Sequence, residues 1–327
     1  MKRFPLLAVS AAALLAGGCL MIDPRALFAG AELTEVVLEQ DEGWFVSDKI
    51  LLVDVSGVIA DQDGGGLLGG DFTCSPHYLR TVLRRAEQDP AIRAVVLRID
   101  SPGGTVTASE VLAREVKSFR ARTGLPVYAH IQSLGCSGGY YVAAACDEIH
   151  IQPAGLTGSI GVIAVLPAYA KLADKIGYEE RVIKSGALKD LGSGMRDLTP
   201  EERAIFQALI DESYGQFLDW VLAGRPQVGD REQLKKLADG RIYTASQAKA
   251  NRLVDEVCHL DESVAAVKEA AGVERAQVVT YSYALSADAN LYSPSAASPT
   301  PRLLNLNVPA PLRAHAPGLY YLWRPGG

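Results

Sequence analysis

Residues 126–141 read P-V-Y-A-H-I-Q-S-L-G-C-S-G-G-Y-Y, and this stretch decides the fold. Pro126 to Ile131 has the apolar, β-rich character of a strand. It runs into Gly135-Cys136-Ser137-Gly138-Gly139, a serine set between glycines, and a helix then follows to about Ala145. A strand, a glycine turn and a helix in that order present the serine on a sharp bend. The same sequence of elements lies upstream. Ala94–Ile99 (A-V-V-L-R-I) is a strand that ends in Asp100-Ser101-Pro102-Gly103-Gly104. Thr107-x-x-Glu110 has the spacing of a capping box. Val111, Leu112, Val116 and Phe119 then share one helical face, and Gly124 ends that helix. Ile50–Ile59 and Glu148–Ile151 are further strands. Two strand-turn-helix units in succession predict an α/β fold, with helices on the faces of a mostly parallel sheet.

The surrounding segments are less decisive. Pro76–Glu87 reads as a helix. Thr199-Pro200-Glu201-Glu202 starts a strong one, with a capping threonine, a proline at the first helical position and a glutamate at the third. Thr244-Ala245-Ser246-Gln247 starts another, to about Arg252. Gly64–Gly70 lacks the lysine and hydroxyl residue of a phosphate loop. It reads either as a loop over a cleft or as a plain surface loop. Beyond Ala284 serine, alanine, proline and asparagine dominate, so residues 285–327 are expected to form a flexible tail. The tail closes on Leu319-Tyr320-Tyr321-Leu322-Trp323, apolar enough to dock, and one expectation is that it enters a neighbouring groove as an internal substrate or plug.

Lys2 and Arg3 precede an apolar run, Phe4–Ala16, that is too short to span a bilayer as a helix (about 20 residues are needed). Leu15-Ala16-Gly17-Gly18-Cys19 resembles a bacterial lipobox, which implies cleavage before Cys19 and acylation of that residue. Residues 1–18 are then a lipoprotein signal, 19–45 a tether and 46–284 the catalytic domain. Leu20 after Cys19 points to the outer membrane in an organism with two membranes. Loss of Lys2 and Arg3 takes the formal charge from -6 to -8, an acidic balance that argues against nucleic-acid binding. Cys74, Cys136, Cys146 and Cys258 fit no zinc spacing, and Cys136 reads as a small buried side chain.

Gly135-x-Ser137-x-Gly139 fits a nucleophile elbow. Of the histidines that follow, His150 falls in a strand, His259 at a junction and His315 in the tail. None has a clear triad setting. A different base is offered by Lys184-Ser185-Gly186-Ala187-Leu188-Lys189-Asp190. The segments S-P-G-G (101–104), G-C-S-G-G-Y-Y (135–141), L-T-G-S-I-G-V (156–162), K-S-G-A-L-K-D (184–190) and D-G-R-I-Y-T-A-S-Q-A (239–248) are similar to the signal peptide peptidase A (protease IV) family, in the family's order and over roughly residues 48–260.

The resemblance implies a ClpP/crotonase-like fold and a serine endopeptidase. Ser137 matches the nucleophile and Lys189 the general base, with Lys184 as the rival. Ser159 matches a hydroxyl that contacts the lysine. Gly103 and Gly138 match the oxyanion-hole donors, with Gly104 a close alternative. A free lysine (pKa ~10.4) is charged at neutral pH, so this chemistry needs its amine held neutral by burial or nearby positive charge. The resemblance further implies no metal or organic cofactor. Its expected substrates are cleaved signal peptides and other extended apolar peptides. It also implies a homo-oligomeric ring, an octamer, in which serine and lysine meet across neighbouring subunits. Two other readings stay open: a catalytically weak ring that organises membrane partners, and a Ser-His hydrolase acting on esters or thioesters.

Overall fold

The computed structural model describes residues 33–61, 73–283, 289–293 and 318–323. The leader, Cys19, the Gly64–Gly70 loop and His315 lie outside these residues. Three long strands form the middle of the main sheet: β2 (Lys49–Ser56), β5 (Ile92–Ser101) and β7 (Val127–Cys136), each parallel to the next. Alternate side chains point to opposite faces, as a strand requires. Leu51, Val53, Val55, Val95 and Leu97 enter one apolar core, while Ile50, Leu52, Ala94 and Val96 enter a second. The strands are apolar on both faces because both faces are covered. Each buried aliphatic side chain contributes roughly 1.5–3 kcal/mol.

The chain leaves β2 through β3 (Val58–Ile59) and β4 (Thr73–Cys74) into helix α1 (Pro76–Gln88), which Ser75 caps by accepting the Tyr78 N–H. After β5 comes the short β6 (Gly103–Thr105) and then α2 (Val106–Thr123). Thr105, not Thr107, caps α2: its hydroxyl accepts from Ala108, because β6 hands its last residue straight to the helix. Gly124 ends α2 in the left-handed conformation, φ 68°. After β7 follow α3 (Gly138–Ala143), β8 (Glu148–Ile151), β9 (Leu156–Gly158) and β10 (Ile163–Val165).

Helix α4 (Ala170–Ile176) precedes the irregular segment that carries Lys189. Helix α5 (Pro200–Gly224) opens on the expected Thr199–Glu202 capping box. The remainder is α6 (Arg231–Leu237), β11 (Ile242–Thr244), α7 (Ala245–Ala250), β12 (Glu256–Val257), α8 (Leu260–Ala270) and β13 (Gln277–Ser282). Residues 34–40, assigned to the tether from sequence, instead form β1 (Thr34–Gln40), antiparallel to β13, and so belong to the same compact unit as the other strands. Among the described residues the main sheet has nine strands and runs β1-β13-β2-β5-β7-β8-β12, with β9 also on β7 and β11 on β9. A five-stranded sheet runs β10-β14-β6-β3-β4, where β14 is Gly318–Leu322 of the tail. Residues 289–293 also dock: Leu291 joins the second core, and buried Arg98, paired with Asp54, donates to the carbonyls of Leu291 and Ser293. The architecture is the expected ClpP/crotonase-like α/β fold with a mostly parallel main sheet.

His130 and His150 are register partners on β7 and β8. His150 is satisfied by Ser263 (2.9 Å) and Glu148 (3.0 Å). His130 is fully buried and neither ring nitrogen has a hydrogen-bond partner among the described residues. Burial, reinforced by His150, lowers its pKa to about 4. Between pH 6.5 and 4 the unfolded chain therefore binds a proton that the folded chain refuses, and stability falls as pH falls, by up to about 3 kcal/mol for this one group. Replacing His130 with leucine should flatten the dependence of the urea midpoint on pH across that window; an unchanged slope would refute the assignment.

Candidate active site

Strand β7 ends at Cys136 and the chain turns at Ser137 with φ 54° and ψ -114°, a conformation that L residues rarely adopt. Such strain costs on the order of 1–3 kcal/mol and survives only where the surroundings dictate it. Here they do. The Ser137 N–H donates to Gly158 O at 2.8 Å, and the Ser137 carbonyl accepts from Tyr141 N–H at 2.8 Å in the first turn of α3. The residue is almost wholly buried, yet its hydroxyl has no hydrogen-bond partner among the described residues.

The turn after β5 packs directly against it. Serine 101 fixes that turn: its hydroxyl donates to Gly57 O at 2.6 Å and accepts from Gly103 N–H at 3.1 Å. A side chain on Gly138 would lie 2.3 Å from Ser109 Oγ and 3.1 Å from Gly104 N. One on Gly103, where φ is +103°, would lie 2.7 Å from Gly138 N and 2.0 Å from Tyr321 O. Only glycine allows the two turns to meet this closely. Gly138 opens α3, so its N–H has no acceptor within the helix.

Ser159 joins the same place through strand register. Cys136 pairs with Gly158 in the parallel β7–β9 ladder, so the residues that follow them, Ser137 and Ser159, emerge side by side. Ser159 also has a positive φ, 49°, and its N–H donates to Arg241 O at 2.7 Å. It lines a cavity of about 610 Å³ with Val162, Ile163, Ile210, Tyr214 and Leu322.

Lys189 is not brought to this cluster within the single chain. Its side chain is exposed, and among the described residues its ammonium has neither a hydrogen bond nor an ion pair. The rival, Lys184, is engaged: it donates to Asp190 at 2.6 Å and to Ala187 O at 2.8 Å. Arg196 also binds Asp190, and continues to Glu202 at the start of α5. Arg196 and then Lys184 hold the Asp190 carboxyl well below its ordinary range. This chain of charges anchors the loop and leaves Lys189 as its unpaired cation. Apolar side chains stand exposed along the same segment: Leu172, Ile176, Tyr178, Val182, Ile183 and Leu188.

Other candidates fall away. No histidine among the described residues hydrogen-bonds to Ser137; His150 is committed to Ser263 and Glu148, and His259 is the exposed cap of α8. Cys136 is fully buried, and burial pushes its thiol up to about 12. The sequence reading did not find the aromatic group beneath the glycine turns, where Tyr141 stacks on Trp220 and meets Phe217 edge-on. Its one sequence signal is the pair 217/220 on a single face of α5. Because the thiolate fraction governs alkylation, iodoacetamide at pH 8 should leave Cys136 unmodified in the folded protein and label it after denaturation; rapid labelling in the fold would contradict its burial.

The profile of peptidase family S49 matches residues 120–274. The chain is 33% identical over 257 residues to an Enterococcus faecium protein provisionally named signal peptide peptidase SppA, covering 79% of this chain and 73% of that one. A provisionally named protease of Synechocystis is 39% identical over 209 residues, 64% of this chain and 69% of its own length. Protease 4 of Salmonella typhi is 34% identical over 227 residues, 69% of this chain but 35% of that longer protein.

Proposed function

The chain belongs to peptidase family S49 and is a serine peptidase, and on that premise we propose that it cleaves extended peptides with Ser137 as nucleophile and Lys189 of a neighbouring copy as general base. The observation that carries this reading is the junction of Ser137, Ser159 and the glycine turns at the end of the β7–β9 ladder, with its serine hydroxyl unpaired. A serine hydroxyl becomes a nucleophile when a base removes its proton. Within one chain the free lysine stands at the surface, on a loop flanked by exposed apolar side chains. Docking of a second copy on that apolar segment would bury the loop, favour the neutral amine and set it against Ser137, with Ser159 orienting it.

In the reaction, Ser137 Oγ attacks the peptide carbonyl while its proton passes to Lys189 Nζ. The oxyanion is held by the Gly138 N–H and by Gly104 or Gly103, the last of which would first release Ser101. Losing one such donor typically costs ~3 kcal/mol in the transition state. Collapse expels the amine, which takes the proton from Lys189, and leaves an ester on Ser137 that water hydrolyses. In this proposal the dyads repeat around a closed ring, an octamer, whose interior admits unfolded chains. No helix among the described residues is long and apolar enough to cross a membrane. Acylation of Cys19 supplies the anchor in this proposal, and holds the ring on a membrane of the cell envelope, facing the periplasm or cell exterior, where cleaved signal peptides are the substrates.

Ser137→Ala and Lys189→Ala should each lower kcat on a signal-peptide substrate by at least about 100-fold, while Lys184→Ala keeps the greater part of it. The two inactive variants, co-expressed in equal amounts, should recover about a quarter of the wild-type rate, because one in four neighbouring pairs then joins an intact serine to an intact lysine. No recovery would place both groups in one chain; full activity of Lys189→Ala would remove lysine from the mechanism.

A further inference from the structure

Residues 41–48, D-E-G-W-F-V-S-D, carry the chain from β1 to β2 across the start of β13. Both feet of this loop are fixed. Asp41 N–H donates to Ala276 O at 3.2 Å, and the Asp41 carboxylate accepts from Ala276 N–H at 2.8 Å and pairs with Lys268. At the other foot Asp48 O accepts from Gln277 N–H at 2.8 Å, and Lys49 N–H donates to Ala91 O at 2.8 Å. Between the feet the chain turns its aromatic residues outward: Trp44 is 92% exposed and Phe45 97%. Phe45 has φ 60°, a left-handed conformation that a bulky residue rarely adopts, and its ring gains no packing there. Backbone strain of this kind persists where function uses it. A loop pinned at both ends, with two bare rings at its tip, is built to present them.

The size and setting of the tip say what it meets. Two aromatic rings bury about 300–500 Å² when covered, well short of the roughly 800 Å² that each partner gives to a stable protein interface. The collar around them is polar and close to neutral: Asp41 pairs with Lys268, Asp48 faces Arg93 at 3.8 Å, and Arg275 stands against Gly43, the residue after Glu42. A small apolar tip in a polar collar suits the headgroup layer of a bilayer. Tryptophan is favoured there because an apolar ring and a polar N–H sit together at the boundary of lipid and water. The chain outside the described residues is long enough for the same surface to hold both the tip and Cys19. Residues 20–32, thirteen in all, reach at most about 45 Å, and β1 carries the chain only about 24 Å from Leu33 to the loop.

We propose that Trp44 and Phe45 are a second membrane contact, inserting into the headgroup layer of a phospholipid bilayer. The inference rests on the membrane location proposed above and adds to it the part of the fold that touches lipid. It also sets an orientation. The loop lies at the N-terminal end of β2, whereas Ser137 follows the C-terminal end of the parallel β7. The eight residues of β2 put about 26 Å between those two ends, so the Ser137 end is turned away from the bilayer.

The test uses the full-length chain with Cys19→Ser, which carries no acyl group, and phosphatidylcholine vesicles brominated on the acyl chains, which quench an indole that enters the bilayer. Tryptophan emission should fall when vesicles are added, and Trp44→Phe in the same background should remove most of that fall. The other two indoles are placed elsewhere: Trp220 stacks on Tyr141 inside the fold, and Trp323 hydrogen-bonds to Pro102 at the Ser137 end. Both proteins keep the same leader, so the difference belongs to the loop. Vesicle affinity, read by sedimentation, should drop at least about tenfold when Trp44→Ser and Phe45→Ser are combined. Quenching that persists in Trp44→Phe, quenching in neither protein, or an unchanged affinity of the double variant would each overturn the proposal. A double variant whose assembled particle loses mass in mass photometry would assign the loop to a neighbouring copy and overturn it too. The quenching pair needs only a conservative change, and keeps the proposal open to refutation should the double variant fold poorly. Mass spectrometry of Cys19 in the wild-type protein decides the acyl anchor separately, so a missing acyl group and an unquenched Trp44 are distinct failures.

Discussion

The hydrogen bond from Ser137 N–H to Gly158 O closes the parallel ladder between β7 and β9, and the rest of the site is arranged around it. It carries the pairing one residue past the end of the strand, to a residue whose φ is positive and which has no β-carbon freedom to spare. From there α3 must start at once, and the turn of β5 into β6 must come close enough for glycine to face glycine. A small error in this junction would separate Ser137 from the glycine N–H groups proposed to receive the oxyanion. The long apolar strands β2, β5 and β7, buried on both faces, supply the rigidity that keeps a strained turn in place.

The proposed base, Lys189, is governed by different physics. Glycine turns and strand register are fixed by backbone geometry, whereas a lysine works as a base only out of water. The charge chain Lys184–Asp190–Arg196–Glu202 holds the loop firmly enough to aim Lys189 outward, into solvent in the single chain. Strong ion pairs neutralise the cations around it and leave one uncommitted. An apolar neighbour that covers Ile176, Val182, Ile183 and Leu188 would remove water from both the surface and the amine. Assembly would then act as the switch that makes the serine reactive.

Much of this was legible in the residues. The strands around Ala94–Ile99 and Pro126–Ile131 are marked by largely apolar, β-rich runs broken only by Arg98 and His130, and the helix at Thr199 by a complete capping box. Ser137 and the glycines stood out because nothing but a tight turn needs that spacing. What escaped the sequence was long-range. Strand β1 looked like tether because its exposed charges mask a pairing with β13 some 240 positions away. The cap of α2 moved from Thr107 to Thr105 because β6 ends there. Leu319–Trp323 read as apolar enough to dock, but the five residues Gly-Leu-Tyr-Tyr-Leu carry too little pattern to reveal a strand or its partner β6. Proximity of Ser159 to Ser137 came from register, and no motif encodes register across two strands.

The most direct test of the account asks which hydroxyl is reactive. Treating the assembled wild-type protein with a fluorophosphonate and mapping the adduct by peptide mass spectrometry should place the phosphonyl group on Ser137 alone, with the adduct absent when Lys189 is replaced by alanine. Modification of Ser159 or Ser101 instead, or a Ser137 adduct that forms equally fast without Lys189, would contradict it.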